Sequence, residues 1–230
     1  MSPTAQRAAA APLENRQTEA DDAYVTLRSI IRSGELGPGE RLVEIDLAAR
    51  LALGRAAIRT ALARLEQDGL VERAPYRGAR VRVIGEAEAV EILEARGALE
   101  GVASRHAAQH ATPKDVDALR SILKKMAQRH TAGDLHAVSE LNASLHGRIL
   151  RIANLPRIAK LIDDLNAQNV RHQFRTVLAA GRPSQSLREH GAIVDAIARG
   201  DGDAAEAAMR THLAQVIRTL QSVARSAARR

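Results

Sequence analysis

Residues 44–83, EIDLAARLALGRAAIRTALARLEQDGLVERAPYRGARVRV, decide how this chain folds. They read as a helix, a tight turn, a second helix and a two-stranded hairpin. In the second helix Ile58, Ala61, Leu62 and Leu65 recur at i, i+3, i+4 and i+7, which places them on one inward stripe. Arg55 and Arg59 lie one turn apart, off that stripe and near the helix N-terminus. A helix entering a DNA major groove presents its base- and phosphate-contacting side chains there. Leu70 to Arg73 reads as a strand and Pro75 to Gly78 as a turn. Ala79, Val81 and Val83 then alternate with Arg80 and Arg82, giving one apolar and one cationic face. A helix-turn-helix followed by a basic hairpin is a winged helix, and DNA is the expected partner. The candidate DNA contacts are Arg50, Arg55, Ala56, Arg59 and Thr60 in the helices, with Arg77, Gly78 and Arg80 in the wing.

Charge placement supports that expectation. The chain carries a formal net charge of +7, and between Arg50 and Arg82 eight arginines face only Glu66, Asp68 and Glu72. An arginine-rich solvated surface is the bland alternative, but the charge lies on the motif that would use it. A second basic run, Arg218 to Arg230, reads as a frayed helix end favoured by the helix dipole. Aromatic residues make up 1% of the 230 residues, so the core must be Leu, Ile, Val and Ala, and Ala-rich periodic sequence favours helices. With no cysteine, disulfides, zinc fingers and thiol catalysis are excluded. No apolar run reaches the roughly 18 residues of a membrane span, and the N-terminus lacks a signal-peptide core. A cytoplasmic, soluble protein is expected.

In chain order, residues 1–21 read as a disordered arm. From Asp22 a short amphipathic helix carries Tyr24, Leu27, Ile30 and Ile31 and stops at Ser33-Gly34. A turn at Gly37-Pro38-Gly39 and a short extended piece, Arg41 to Val43, complete a DNA-binding domain over residues 22–84. Residues 86–228 read as an all-α antiparallel six-helix bundle. Its helices span Glu86 to Ala111, Pro113 to Thr131, Leu135 to Ala153, Pro156 to Leu178, Ser184 to Ala198 and Asp203 onward. The expected fold class is thus mainly α, a winged helix-turn-helix followed by that bundle.

Four bundle residues stand out. Asn142 and His146 are i, i+4 on one helix and point the same way. His146, His190 and His212 each sit in an apolar stripe of a different helix. A lone histidine on such a face is more often a satisfied core residue than a ligand. Three on three inward faces would each need a buried partner, and one divalent cation would satisfy all of them. Nitrogen donors with one oxygen suit zinc, nickel, manganese or iron. Arg96 shares a face with Ile92, Leu99 and Ala103, and a buried guanidinium there needs an anion. That anion is either an internal acid such as Glu100 or Asp163, or a ligand. His106 and His110, also i, i+4, more readily serve the end of their helix.

Residues 34–81, GELGPGERLV through GARV, resemble the DNA-binding domain of the GntR family of bacterial transcription regulators. The shared features are Pro38-Gly39, Leu47-Ala48, Arg55, Arg59, Ala61-Leu62, Leu65, Gly69-Leu70-Val71 and Gly78. The chain departs where the family usually has Ser or Thr before Arg and Thr-Pro after it: here stand Gly54, Ala56 and Ala57. Ile45 also stands where an Arg is common. Fewer direct DNA contacts or a different operator preference are expected from these departures.

The bundle is similar to the FCD effector domain of the FadR-like subfamily, in its six-helix form. The matching residues are Arg96, Leu99-Glu100, His146, Glu189-His190, Gly200-Asp201, Met209 and His212-Leu213. The resemblance implies a divalent metal on Asn142, His146, His190 and His212, with Asn142 replacing a usual Asp. It further implies a small carboxylate effector held by the metal site and Arg96, and a homodimer. A ligand-responsive, DNA-binding regulator on a palindromic operator is the function expected, not an enzyme. A metal-dependent enzyme built on the bundle is the alternative.

Overall fold

The computed structural model describes residues 13–74, 78–168, 176, 179 and 181–228. The chain divides into two compact units between Val83 and Ile84. The first contains α1 (Leu13–Arg32), β1 (Arg41–Leu42), α2 (Glu44–Leu51), α3 (Arg55–Gln67), β2 (Val71–Ala74) and β3 (Gly78–Val81). Its core forms where Ala20, Ala23, Leu27 and Ile31 of α1, at spacings of three and four, meet the α3 stripe. Ile58, Ala61, Leu62 and Leu65 are each at most 1% exposed, as their periodicity predicts.

The arm expected over residues 1–21 needs correction, because Leu13 to Asp21 already belong to α1. Ala20 continues the buried stripe back by one turn, and Asp21 reaches Arg64 on α3. Arg64 also covers the Tyr24 ring at 4.1 Å, while the Tyr24 hydroxyl donates to Asp68. These contacts fix α1 against α3 and so orient the helix that carries the candidate DNA contacts.

The wing is a three-stranded antiparallel sheet in the order β1-β3-β2. Leu42 and Arg73 both face Ala79, and Val71 faces Val81. Ala79 and Val81 are buried while Arg80 between them is exposed, the alternation a half-buried strand requires. The extended piece at Arg41-Leu42 thus becomes the edge strand of the wing. The expected alternation runs one step too far, however. β3 ends at Val81, and Val83 is exposed, outside the sheet. Arg77, at the expected wing turn, lies outside the described residues.

The second unit is helical: α4 (Glu86–His110), α5 (Pro113–Thr131), α6 (Leu135–Ala153), α7 (Pro156–Gln168), α8 (Arg182–Ala198) and α9 (Gly202–Ala228). Thr112 and Asp115 form a capping box at the start of α5, with Pro113 in its first turn. Asp134 caps α6 through the Ala137 N–H. The expected helix from Pro156 is described to Gln168; of its remainder only Thr176 is described. The next helix starts at Arg182, two residues before the expected Ser184, because proline is tolerated in a first turn.

α4 and α9 form the most extensive helix pair of this unit. Gly97 of α4 leaves only 3.5 Å between a would-be Cβ and the Leu213 Cβ, and Gly101 only 3.1 Å to Arg210. This close approach packs Leu93, Ala103 and Ala107 of α4 with Ala205, Met209 and Leu213 of α9. Leu145 and Ile149 of α6 and Ile193, Val194 and Ile197 of α8 close the same core. Each of these helices carries a functional candidate on its inward face: Arg96 and Glu100, His146, His190, and His212.

Candidate functional site

In the first unit Arg55, Ala56, Arg59 and Thr60 are exposed on α3, and Arg50, Gly78 and Arg80 are exposed nearby in sequence and sheet. α3 has no acid in its first turn and begins with Arg55 itself. Most of the candidate cations are already engaged. Arg50 pairs with Glu35, Arg80 with Glu72 at 2.6 Å, and Arg59 with both oxygens of Glu44 at 2.9–3.2 Å. The bond from Arg59 holds the Glu44 carboxyl below its ordinary range. Arg55 alone of the four has no acid partner among the described residues. Thr60 donates its hydroxyl back to the Ala56 carbonyl. At Gly54, the residue before α3, the N–H donates to Glu19, and a Cβ there would stand 3.0 Å from that carboxylate. Glycine at this position thus lets an α1 side chain reach the helix N-terminus.

In the second unit His146, His190 and His212 meet. Each offers a nitrogen, and the three lie within 4.8 Å of one another. The ring centroids are 4.4–5.3 Å apart, and exposures are 7%, 0% and 3%. His146 Nε2 and His190 Nε2 stand 3.2 Å apart. Two imidazole ligands on a tetrahedral zinc, with bonds of 2.0–2.1 Å, would hold their nitrogens about 3.3 Å apart. The spacing therefore fits a shared cation. Asn142, Arg96, Arg182 and Ser186 line the same small cavity, about 60 Å³, together with His146 and His212. Such a void has room for about four waters or one small ligand.

The polar groups around the cluster are paired in a definite order. Arg96 donates from Nε and Nη2 to Glu100 Oε1 at 2.8 and 2.7 Å, so its anion is internal. Glu100 Oε2 accepts from His146 Nδ1 at 2.5 Å. Burial alone would raise the Glu100 carboxyl, but Arg96 and His146 outweigh it and hold the group far below its usual range. On the other side Arg182 Nη1 donates to Glu189 Oε2 at 2.8 Å, and the same oxygen accepts from His212 Nδ1 at 2.7 Å. Glu189 Oε1 is buried without a hydrogen-bond partner among the described residues.

Burial, reinforced by the neighbouring imidazoles and Arg182, holds His190 and His212 well below the usual histidine range. Both are neutral at neutral pH. In the unfolded chain they titrate near 6.5, so below that pH the unfolded state binds more protons and stability falls. Glu100, depressed, acts only below the ordinary carboxylate range and does not offset this window. The metal-free helical unit is therefore expected to melt at a lower temperature at pH 5.5 than at pH 7.5. Equal melting temperatures in chelator would contradict neutral burial of the pair.

The structure brings His146, His190 and His212 together, while Asn142 and Arg96 line the adjoining cavity with His146 and His212. Two partners escaped the sequence reading. Glu189 lies roughly 100° from His190 around their helix, and that angle hides its reach to His212 on α9. Arg182 reads as part of a Gly-Arg-Pro break, yet it is 4% exposed in the first turn of α8. Its spacing of seven from Glu189 was the available signal, since i and i+7 share a helix face.

Comparison with known proteins agrees with both units. The model of bacterial regulatory proteins of the gntR family matches residues 19–81, and the FCD domain model matches residues 91–215. The chain is 31% identical over 188 residues to a probable D-xylose utilization operon transcriptional repressor of Paenarthrobacter nicotinovorans, covering 80% of each chain. It is 28% identical over 200 residues to the HTH-type transcriptional repressor RspR of Escherichia coli K12, covering 87% of this chain and 88% of that one. Among solved structures, E. coli McbR/YncC has the same fold, with a TM-score of 0.75 at 23% identity over 89% of this chain and 97% of that one. No described helix is long and apolar enough to cross a membrane. The alternative of a metal-dependent enzyme is set aside: this chain belongs to the GntR family of bacterial regulators, a DNA-binding transcription regulator with an FCD domain.

Proposed function

We propose that the chain is a ligand-responsive regulator whose helical unit senses a small carboxylate through a divalent metal. The observation that carries this reading is the convergence of three buried imidazoles, two of them with Nε2 atoms 3.2 Å apart. His146, His190 and His212 hold the metal, and the Asn142 carboxamide oxygen is its fourth protein ligand. A carboxamide is a weaker donor than a carboxylate, and a three-nitrogen, one-oxygen set suits zinc, nickel, manganese or iron. When bound, the metal supplies a positive centre that attracts an anion.

Local charge sets the class of effector. Glu100 and Glu189 are each matched by a buried arginine, and burial disfavours charge on His190 and His212. A divalent ion added to this balanced set leaves an excess of positive charge, which an organic acid would neutralise. Arg96 has Nη1 uncommitted among the described residues and lines the cavity, so it can add a hydrogen bond to the anion. A cavity of about 60 Å³ favours an acid of few heavy atoms.

In the first unit Arg50, Arg55, Ala56, Arg59 and Thr60, with Gly78 and Arg80 of the wing, form the DNA-reading surface. Arg77, outside the described residues, is proposed with them on sequence grounds. As a homodimer the protein presents two copies of α3 to a palindromic operator in the cytoplasm. The effector acts by binding DNA-bound and free states with different affinity. Repression is the mode supported by the descriptions of two relatives. The test is fluorescence anisotropy of zinc-loaded protein on DNA from its own promoter, against a panel of small mono- and dicarboxylates. At least one acid is expected to shift the midpoint, with zinc required. A midpoint unmoved by the whole panel would overturn the sensor reading.

A further inference from the structure

The histidine cluster is flanked by two chains of the same composition. Arg96, Glu100 and His146 form one: guanidinium to carboxylate to imidazole Nδ1. Arg182, Glu189 and His212 form the other on the same imidazole nitrogen; Arg182 Nη2 also stands 3.4 Å from His212 Nδ1, but the 2.7 Å contact to Glu189 is the shorter and sets the proton. Their side chains are buried, from 3% exposed at Glu100 to 13% at Glu189. The two carboxylates lie on different helices, α4 and α8. Among the described residues no acid hydrogen-bonds to His190, whose Nδ1 stands 3.5 Å from Ser186 Oγ.

We propose that these Arg–Glu–His relays are the positioning devices of the metal site proposed above, with Glu189 acting through His212 to strengthen a ligand set in which Asn142 is neutral. A carboxylate beside a guanidinium accepts hydrogen bonds and does not donate them, so it fixes the proton of each imidazole on Nδ1. Nε2 of His146 and of His212 is thereby left with its lone pair. Free histidine prefers the opposite tautomer, so this choice is imposed by the two acids. The arginines hold the carboxylates in place, since each guanidinium binds the same acid as the imidazole does. His190 is free of this constraint. In the metal-free chain it donates its Nε2–H across the 3.2 Å gap to His146 Nε2, which removes the repulsion of two facing lone pairs.

Charge supplies the second half of the role. Three neutral imidazoles and a neutral carboxamide give a divalent ion no direct compensation. A carboxylate that accepts from a ligand imidazole makes that ligand more basic, which strengthens its bond to a cation. Glu189 is the more consequential of the two acids, because its Oε1 is buried with no hydrogen-bond partner among the described residues. That oxygen gains from any added positive charge nearby.

The inference rests on the proposed metal reading only for its second half, and the experiment separates them. The imidazole ¹⁵N shifts of metal-free full-length protein at pH 7.5 report the tautomers directly. His146 and His212 are expected as Nδ1–H and His190 as Nε2–H. Finding His212 as Nε2–H would overturn the relay whether or not metal binds. Glu189→Gln keeps an acceptor but removes the charge. It should retain the His212 tautomer while zinc affinity, read by chelator competition, falls about 10- to 100-fold. Glu189→Ala should lose both at His212 and leave His146 unchanged. Unaltered zinc affinity in Glu189→Gln would overturn the charge role. Cobalt substituted for zinc should give the same coordination spectrum in wild type and Glu189→Gln; a changed coordination number would make Glu189 a direct ligand and overturn its positioning role. Wild-type protein that binds no metal would defeat the metal reading and with it the charge role, while the tautomers would still judge the relay.

Discussion

Arg55→Ala is expected to weaken operator binding by roughly 5- to 150-fold per half-site, the range for losing one good bidentate base contact. In a dimer on a palindrome the loss is taken twice. The reason to single out this residue lies in its neighbours. Arg50, Arg59 and Arg80 each carry an acid partner, Glu35, Glu44 and Glu72, so DNA must compete with a carboxylate for each of them. Arg55 forms no ion pair among the described residues, feels Glu44 only at longer range, and stands first in α3, at the end expected to enter a groove. Arg59→Ala should cost less, because it also frees Glu44, and Glu44→Gln should tighten binding by liberating Arg59. Both are read by anisotropy at a fixed salt concentration, since phosphate contacts make affinity steeply salt-dependent. An Arg55→Ala protein within about threefold of wild type would remove α3 from the role of recognition helix.

His190→Ala is expected to reduce zinc affinity by roughly 10²- to 10³-fold. Structural zinc sites gain about 10–16 kcal/mol from a full ligand set, so one of four ligands accounts for a few kcal/mol. His190 is completely buried and sits 3.2 Å from His146, so no solvent-side group can swing in to replace it. Alanine also leaves a void in a core that includes Ile193 and Val194. His190→Gln, which fills more of that volume, separates lost packing from lost ligation: it should recover stability in chelator without recovering zinc affinity. Equal zinc affinity in all three proteins would take the metal away from this cluster.

What the sequence disclosed and what it hid follow from how local each feature is. The α3 stripe is a matter of 3.6-residue periodicity, and Ile58, Ala61, Leu62 and Leu65 are buried as it requires. The helix ends at Thr112-Pro113 and Gly133-Asp134 are capping chemistry, readable from a few residues. The inward direction of each site histidine could be read from apolar neighbours on its own helix. The start of α1 could not, because its first turns look polar until Ala20 and Ala23 find α3. The relay acids were hidden for a related reason. An angle around α8 places Glu189 away from His190, but only packing brings His212 of α9 within 2.7 Å of it. Arg96 posed two alternatives, internal acid or ligand, and Glu100 one turn away takes up two of its nitrogens. The Gly54 departure likewise makes sense only with α1 in place, where the Glu19 carboxylate accepts from the Gly54 N–H and a Cβ would crowd it.

The most direct measurement is the metal content, by mass spectrometry, of untagged full-length protein exposed to excess zinc and desalted, wild type beside His190→Ala. About one metal per chain in the wild type, lost in the variant, is the result this account predicts. A wild-type chain that retains none would contradict it, and would leave Asn142, His146, His190 and His212 as a polar core held together by Glu100, Glu189 and their arginines alone.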